Sequence, residues 1–196
     1  MRLLVFVLLA LQCMLPSVAL AMTPAEKNAQ CGALAMGEWS YAADTEAEAL
    51  ARSFLDKAHL NYTPVVCLGH PPPGTRAFAE GHVVTTPSQP YFFVLIHADM
   101  RIALFGELRG LIAHEVSHLA VPESRGCGSY FFDGKLDAYV ACEHAVDAVG
   151  ESLAGKGEVR RALQFLMTYI ERAPWGHEMT WAPHRDVLRR RMQLLE

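Results

Sequence analysis

Residues 108–122 read LRGLIAHEVSHLAVP, and the pentapeptide His114-Glu115-Val116-Ser117-His118 within them governs how the rest of the chain is read. From Gly106 to about Ala120 the apolar residues Leu108, Leu111, Ile112 and Leu119 recur at helical spacing, and Val121-Pro122 ends the run. His114 and His118 then stand one turn apart on one face of that helix, so both imidazoles can reach a single metal ion. Zinc suits imidazole nitrogen and keeps an open position for water in catalytic sites. Glu115, beside the first histidine, is placed to take the water's proton. Taken alone, the pentapeptide fits a helix with two surface histidines equally well.

A second long helix is predicted over 135–154, stopping at Gly155, and it offers Glu143 and Asp147 one turn apart on one face. Glu143 completes a three-ligand set with His114 and His118, for one zinc per chain. Asp147 is placed to accept the free ring N–H of a ligand histidine, His114 in the first instance, which fixes its tautomer. The neighbour His144 competes geometrically for the ligand position, but it would have Ala148, not a carboxylate, one turn later. Carboxylates on a solvated helix face are commonplace. This helix, however, is mostly apolar (Ala138, Tyr139, Val140, Ala141, Ala145, Val146, Ala148, Val149), and buried carboxylates need partners.

Working outward, residues 44–60 read as a helix capped by Asp44 or Thr45, and HPPPGT at 70–75 breaks regular structure. Strands are expected near 77–85 and 91–97, joined through 87–90, with further helices over about 157–172 and 184–196. The order helix, sheet, helices is an α+β pattern.

The first residues read as an export signal: Met1-Arg2, an apolar run from Leu3 to Leu15, and the small-residue site Ala19-Leu20-Ala21. Residues 1–21 are therefore expected to be cleaved, with no stable membrane anchor afterwards. About 175 residues (22–196) remain, enough for one domain. Loss of Arg2 takes the formal net charge from -4 to -5, which gives no electrostatic reason to bind nucleic acid. Cys31, Cys67, Cys127 and Cys142 remain in a compartment that permits oxidation. Three connectivities are open; Cys31 to Cys67 and Cys127 to Cys142 each close a short loop. Asn61-Tyr62-Thr63 would be a glycosylation acceptor only in a eukaryotic secretory pathway.

His114 to His118 followed by Glu143-His144-Ala145-Val146-Asp147 resembles the gluzincin arrangement, and more closely the HtpX-like peptidases of metallopeptidase family forty-eight. In that family the second element is Glu-x-x-Ala-Asp; here Val146 stands for the alanine. Arg76-Ala77-Phe78-Ala79 resembles the family's Asn-Ala-Phe-Ala strand entry, and the match extends over about 76–196. The resemblance implies a zincin-like fold, a small sheet packed on a motif helix followed by further helices. It also implies zinc endopeptidase activity on unfolded or extended segments, in a bacterial periplasm or secreted. It implies an edge strand that receives substrate, for which 91–97 is the candidate, although the nearly continuous apolar run Phe92 to Ile96 also fits an ordinary core strand, and a histidine near the end that helps hold the oxyanion. Pro183-His184, followed by Arg190 and Leu194, is the nearest counterpart, in reversed order, with His177 as a rival. Two other readings keep the same ligands: a catalytically silent zinc-binding chaperone or assembly factor, which has no need of Glu115, and a structural site, which predicts a fourth protein ligand.

Overall fold

The structure, a computed structural model, describes residues 21–35, 37–70, 79–98, 107–172 and 181–196. Residues 1–20 of the leader, residues 71–78, which hold most of the predicted 70–75 break and the Arg76 to Phe78 match, and His177 lie outside the described residues. Helix α1 (Pro24–Leu34) opens with a reciprocal cap: the Glu26 N–H donates to Thr23 Oγ1, and the Thr23 N–H donates to the Glu26 carboxylate. Strand β1 (Glu38–Tyr41) follows, then α2 (Thr45–Lys57), capped by Asp44, which accepts from the N–H groups of Glu46 and Ala47. Strands β2 (Thr63–His70), β3 (Ala79–Thr85) and β4 (Pro90–His97) complete a sheet of order β1-β2-β4-β3. β2 and β4 pair in parallel, and the other two pairings are antiparallel.

The predicted edge strand is corrected by this order. Residues 91–97 lie in β4, paired on both sides, and β3 is the edge beside it. The residues themselves explain the placement: Tyr91 to Ile96 are buried without a break, as an interior strand requires, whereas β3 is only partly buried and exposes every second residue from Gly81.

The pleat sends Val66, Phe92, Val94 and Ile96 to one face and Val65, Cys67, Phe93 and Leu95 to the other. The first face packs on helices α2 and α3 (Leu108–Ala120), and α6 (Glu158–Arg172) packs against α3, with Phe54, Ile112, Val116 and Ile170 fully buried in this core. α1 covers the second face, where Cys31 is joined to Cys67. A second disulfide joins Cys127 to Cys142. It fastens α4 (Cys127–Phe132), which follows a 3₁₀ turn (Pro122–Gly126), to α5 (Leu136–Ala154). α7 (Ala182–Leu194) packs against α5 and α6. The two disulfides point to an oxidising, exported compartment. Among the described residues no helix is long and apolar enough to cross a membrane.

Where α5 crosses α3, Gly150 faces the motif helix: a Cβ there would meet Val159 at 2.9 Å and the His114 Cα at 3.5 Å. Glu143, Asp147 and Gly150 thus share one stripe and bring both carboxylates to the first histidine. α5 is buried only along this side; Ala138, Ala141, Ala145 and Ala148 are exposed. Its far end is held by cations, as a helix C-terminus favours: Lys57 Nζ donates to the Leu153 carbonyl at 2.6 Å and Arg109 Nε to that of Ala154 at 2.9 Å.

Candidate metal centre

His114, His118 and Glu143 converge so that one ligand atom from each lies within 4.8 Å of the others. His114 Nε2 is 3.2 Å from His118 Nε2 and 3.2 Å from Glu143 Oε2. Metal–ligand bonds of about 2.0–2.1 Å in a tetrahedron put neighbouring ligands about 3.4 Å apart, so the two measured edges are close to those of a small tetrahedral ion. The donors, two imidazoles and one carboxylate, leave a fourth position without a protein ligand in this set. On donor chemistry and spacing the residues fit a metal ion.

Behind the first ligand, His114 Nδ1–H donates to Asp147 Oδ1 at 2.8 Å, which leaves Nε2 facing Glu143 and His118. Asp147 is fully buried, and its two oxygens also accept from Arg191, whose Nη2 and Nε lie 2.7 and 2.8 Å away. Arg191 Nη1 is 3.2 Å from Glu143 Oε2. Arg190, the arginine matched in the resemblance, does not reach this cluster; it donates to the exposed Asp137 at 2.7 Å. Three consecutive arginines hide the choice, but helical phase discriminates: Val187, Leu188 and Arg191 share the buried stripe of α7.

The charges are strongly coupled. Burial disfavours ionised Glu143, but the Arg191 guanidinium and the His114 hydrogen bond outweigh it and hold the carboxyl down to about 2. Asp147, against the same burial, is held well below the usual carboxylate range by Arg191 and His114. Burial alone would discharge His114; its hydrogen bonds to Asp147 and Glu143 reverse that and raise it to about 10. His118 goes the other way, to about 4, through burial and the neighbouring His114 charge. Without metal, then, His114 holds a proton between the carboxylates. Glu115, Glu143, Asp147 and Arg191, all buried, sum to two net negative charges when every carboxylate is ionised, the charge a divalent cation neutralises.

Glu115 borders the same cleft, a cavity of about 1350 Å³. Burial raises its carboxyl to about 7, the range suited to a group that accepts and returns protons near neutrality. β3 forms one wall. At Gly81 an added Cβ would lie 2.8 Å from the Phe92 ring and 3.4 Å from Glu115 Oε2, so the bare backbone fits closely over the ring beside the carboxylate. His184 lines the cleft, its ring 4.4 Å from that of Phe131 and 5.2 Å from that of Trp181. Tyr139, one turn before Glu143, also borders it, and burial pushes its hydroxyl pKa above the usual tyrosine value. Its position i−4 to the ligand was the signal available in the sequence. His144 is partly buried, and the three ligand residues that converge do not include it.

The chain matches no known family, no characterised protein and no solved structure.

Proposed function

We propose that this chain is a zinc-dependent endopeptidase that hydrolyses peptide bonds in unfolded or extended protein segments outside the cytoplasm, in the periplasm or after secretion. The observation that carries the reading is the joint placement of a His-His-Glu ligand set and the buried Glu115 in one cleft walled by a sheet edge. Two imidazoles and a carboxylate suit zinc among the common divalent ions. Bound there, zinc supplies the Lewis acidity that makes water nucleophilic near neutral pH. Glu115 takes the proton from the attacking water and delivers it to the leaving amine. His184 donates to the developing oxyanion, the charge that a positioned donor stabilises most. The edge strand β3, which has no neighbour on its outer side among the described residues, holds the substrate backbone by strand addition, a mode tolerant of sequence and suited to extended segments. His114, His118 and Glu143 hold the metal, with Asp147 keeping His114 in the ligating tautomer.

The test is metal content of the purified mature protein together with cleavage of a permanently unfolded polypeptide, with and without chelator. Stoichiometric zinc and chelator-sensitive cleavage are expected. Stoichiometric zinc with no cleavage of any unfolded substrate would leave the silent zinc-binding reading instead.

A further inference from the structure

We propose that Arg191 is a positioning residue of the metal centre, and that α7 is seated by the same bonds that aim the ligands. The inference rests on reading His114, His118 and Glu143 as a metal site. Arg191 is buried and makes a side-on fork to Asp147, with Nη2 and Nε 2.7 and 2.8 Å from the two carboxylate oxygens. Both oxygens are thereby fixed, and the one that takes Nη2 is also the one that accepts from His114 Nδ1 at 2.8 Å. Arg191 therefore sets the rotamer of Asp147, which in turn sets the ring plane of His114. The remaining nitrogen, Nη1, lies 3.2 Å from Glu143 Oε2, the oxygen that faces His114 Nε2. One guanidinium thus orients the third ligand directly and the first ligand through a carboxylate.

Two effects oppose one another here. A cation beside a divalent ion repels it, which argues against Arg191 as a helper. Asp147, however, is fully buried and doubly bonded to the same guanidinium, so the pair presents little net charge to the metal. Without Arg191 the two buried carboxylates, one turn apart, would lose the one group bonded to both of them, and neither would be held in its present orientation. Orientation therefore outweighs repulsion. The planar fork matters as well as the charge: a lysine supplies one point of contact where three nitrogens are used.

A consequence concerns α7. Its fully buried residues are Val187, Leu188 and Arg191, with Met192 packed partly buried on the same core, so the charged anchor contributes to docking the helix beside these apolar contacts. Fixing Glu143 and Asp147 by metal loading should then steady α7 as well as α3 and α5.

Zinc and cobalt(II) affinities are measured by competition titration for the wild type, Arg191→Lys, Arg191→Gln and the surface control Arg190→Gln. The cobalt visible band serves as a readout of coordination geometry. Both Arg191 variants should lose roughly 10 to 100-fold in affinity with an altered cobalt band, as loss of a residue supporting a ligand does, and Arg190→Gln should match the wild type. Wild-type affinity and an unaltered band in Arg191→Lys would overturn the proposal. Should Arg191→Gln fail to fold, Arg191→Lys and the unmodified protein still decide it: on zinc addition, amide exchange should slow across residues 182–194 as well as in α5. Slowing confined to α3 and α5 would overturn the link to α7. A wild type that takes up neither metal removes the metal-site reading itself, an outcome distinct from normal uptake by all four proteins, which removes only the role of Arg191.

Discussion

The two faces of the sheet are closed by different means. Behind β2 and β4, the face under α1 is apolar, with Trp39, Phe93 and Leu95 packed around the Cys31–Cys67 disulfide. The face under α2 and α3 leads from an equally apolar core into five buried ionisable groups carried by α3, α5 and α7: His114, Glu115, Glu143, Asp147 and Arg191. One face is held by a covalent staple and hydrophobic burial; the other spends part of its interior on charges that stabilise little unless all are paired. The lesson is that stability and chemistry are divided between faces, so substitutions should separate them.

The largest effect is expected at Glu115. Glu115→Gln should lower cleavage of an unfolded substrate by at least about 100-fold, the low end of general-base contributions, while zinc per chain stays unchanged. Near-normal turnover at saturating zinc would remove Glu115 from its role. Next comes the third ligand: dialysed Glu143→Ala should lose its zinc, and dialysed His144→Ala should retain it. The opposite pattern of zinc contents would reassign the ligand to His144. Asp147→Ala should be milder, roughly 10 to 100-fold in metal affinity or activity, read by competition with a chelator of known strength. Equal affinity in Asp147→Ala and wild type would show that the carboxylate behind His114 does not support the ligand.

A smaller, graded effect is expected from pH. His114 is raised to about 10 in the metal-free protein and must lose its proton to bind metal. The metal-free state therefore binds more protons than the loaded one, and affinity rises with pH. Between pH 7 and 9 zinc affinity should climb by about tenfold per pH unit, measured in buffers that do not bind zinc; a flat profile would mean that His114 is already neutral. The smallest effect on the metal belongs to the other face. Cys31→Ser with Cys67→Ser should cost about 2–4 kcal/mol of stability in denaturant titrations yet leave zinc affinity within about twofold. A large loss of zinc in this variant would break the division between the faces.

The helices of the site were legible because a 3.6-residue period fixes which side chains share a face, so His114, His118, Glu143 and Asp147 could be aligned without knowing the fold. The same periodicity, applied to α7, would have selected Arg191 over Arg190 from its spacing to Val187 and Leu188. The sheet was less legible. β1 is four residues long, and β2 contains Pro64, which argues against an interior strand. It is tolerated there because β1 pairs only with residues Cys67 to His70, so the chain at Pro64 has a ladder partner on the β4 side alone. The edge assigned to 91–97 rests on the resemblance, whereas its near-continuous apolar run fits the interior strand that it forms, with a neighbour on each side. The contact between Arg191 and Asp147 spans 44 residues and depends on how α7 docks, which local pattern does not encode.

Gly81 has a consequence for how this protein can vary over generations. Only glycine lacks a Cβ, so any missense change in that codon introduces an atom pointed at the Phe92 ring and Glu115. Any first step at that position obliges the buried Phe92 ring to shift, unless Phe92 has already become smaller. Descendants of this chain should therefore keep glycine there, or exchange both residues together, long after the solvent-facing positions of β3 have drifted.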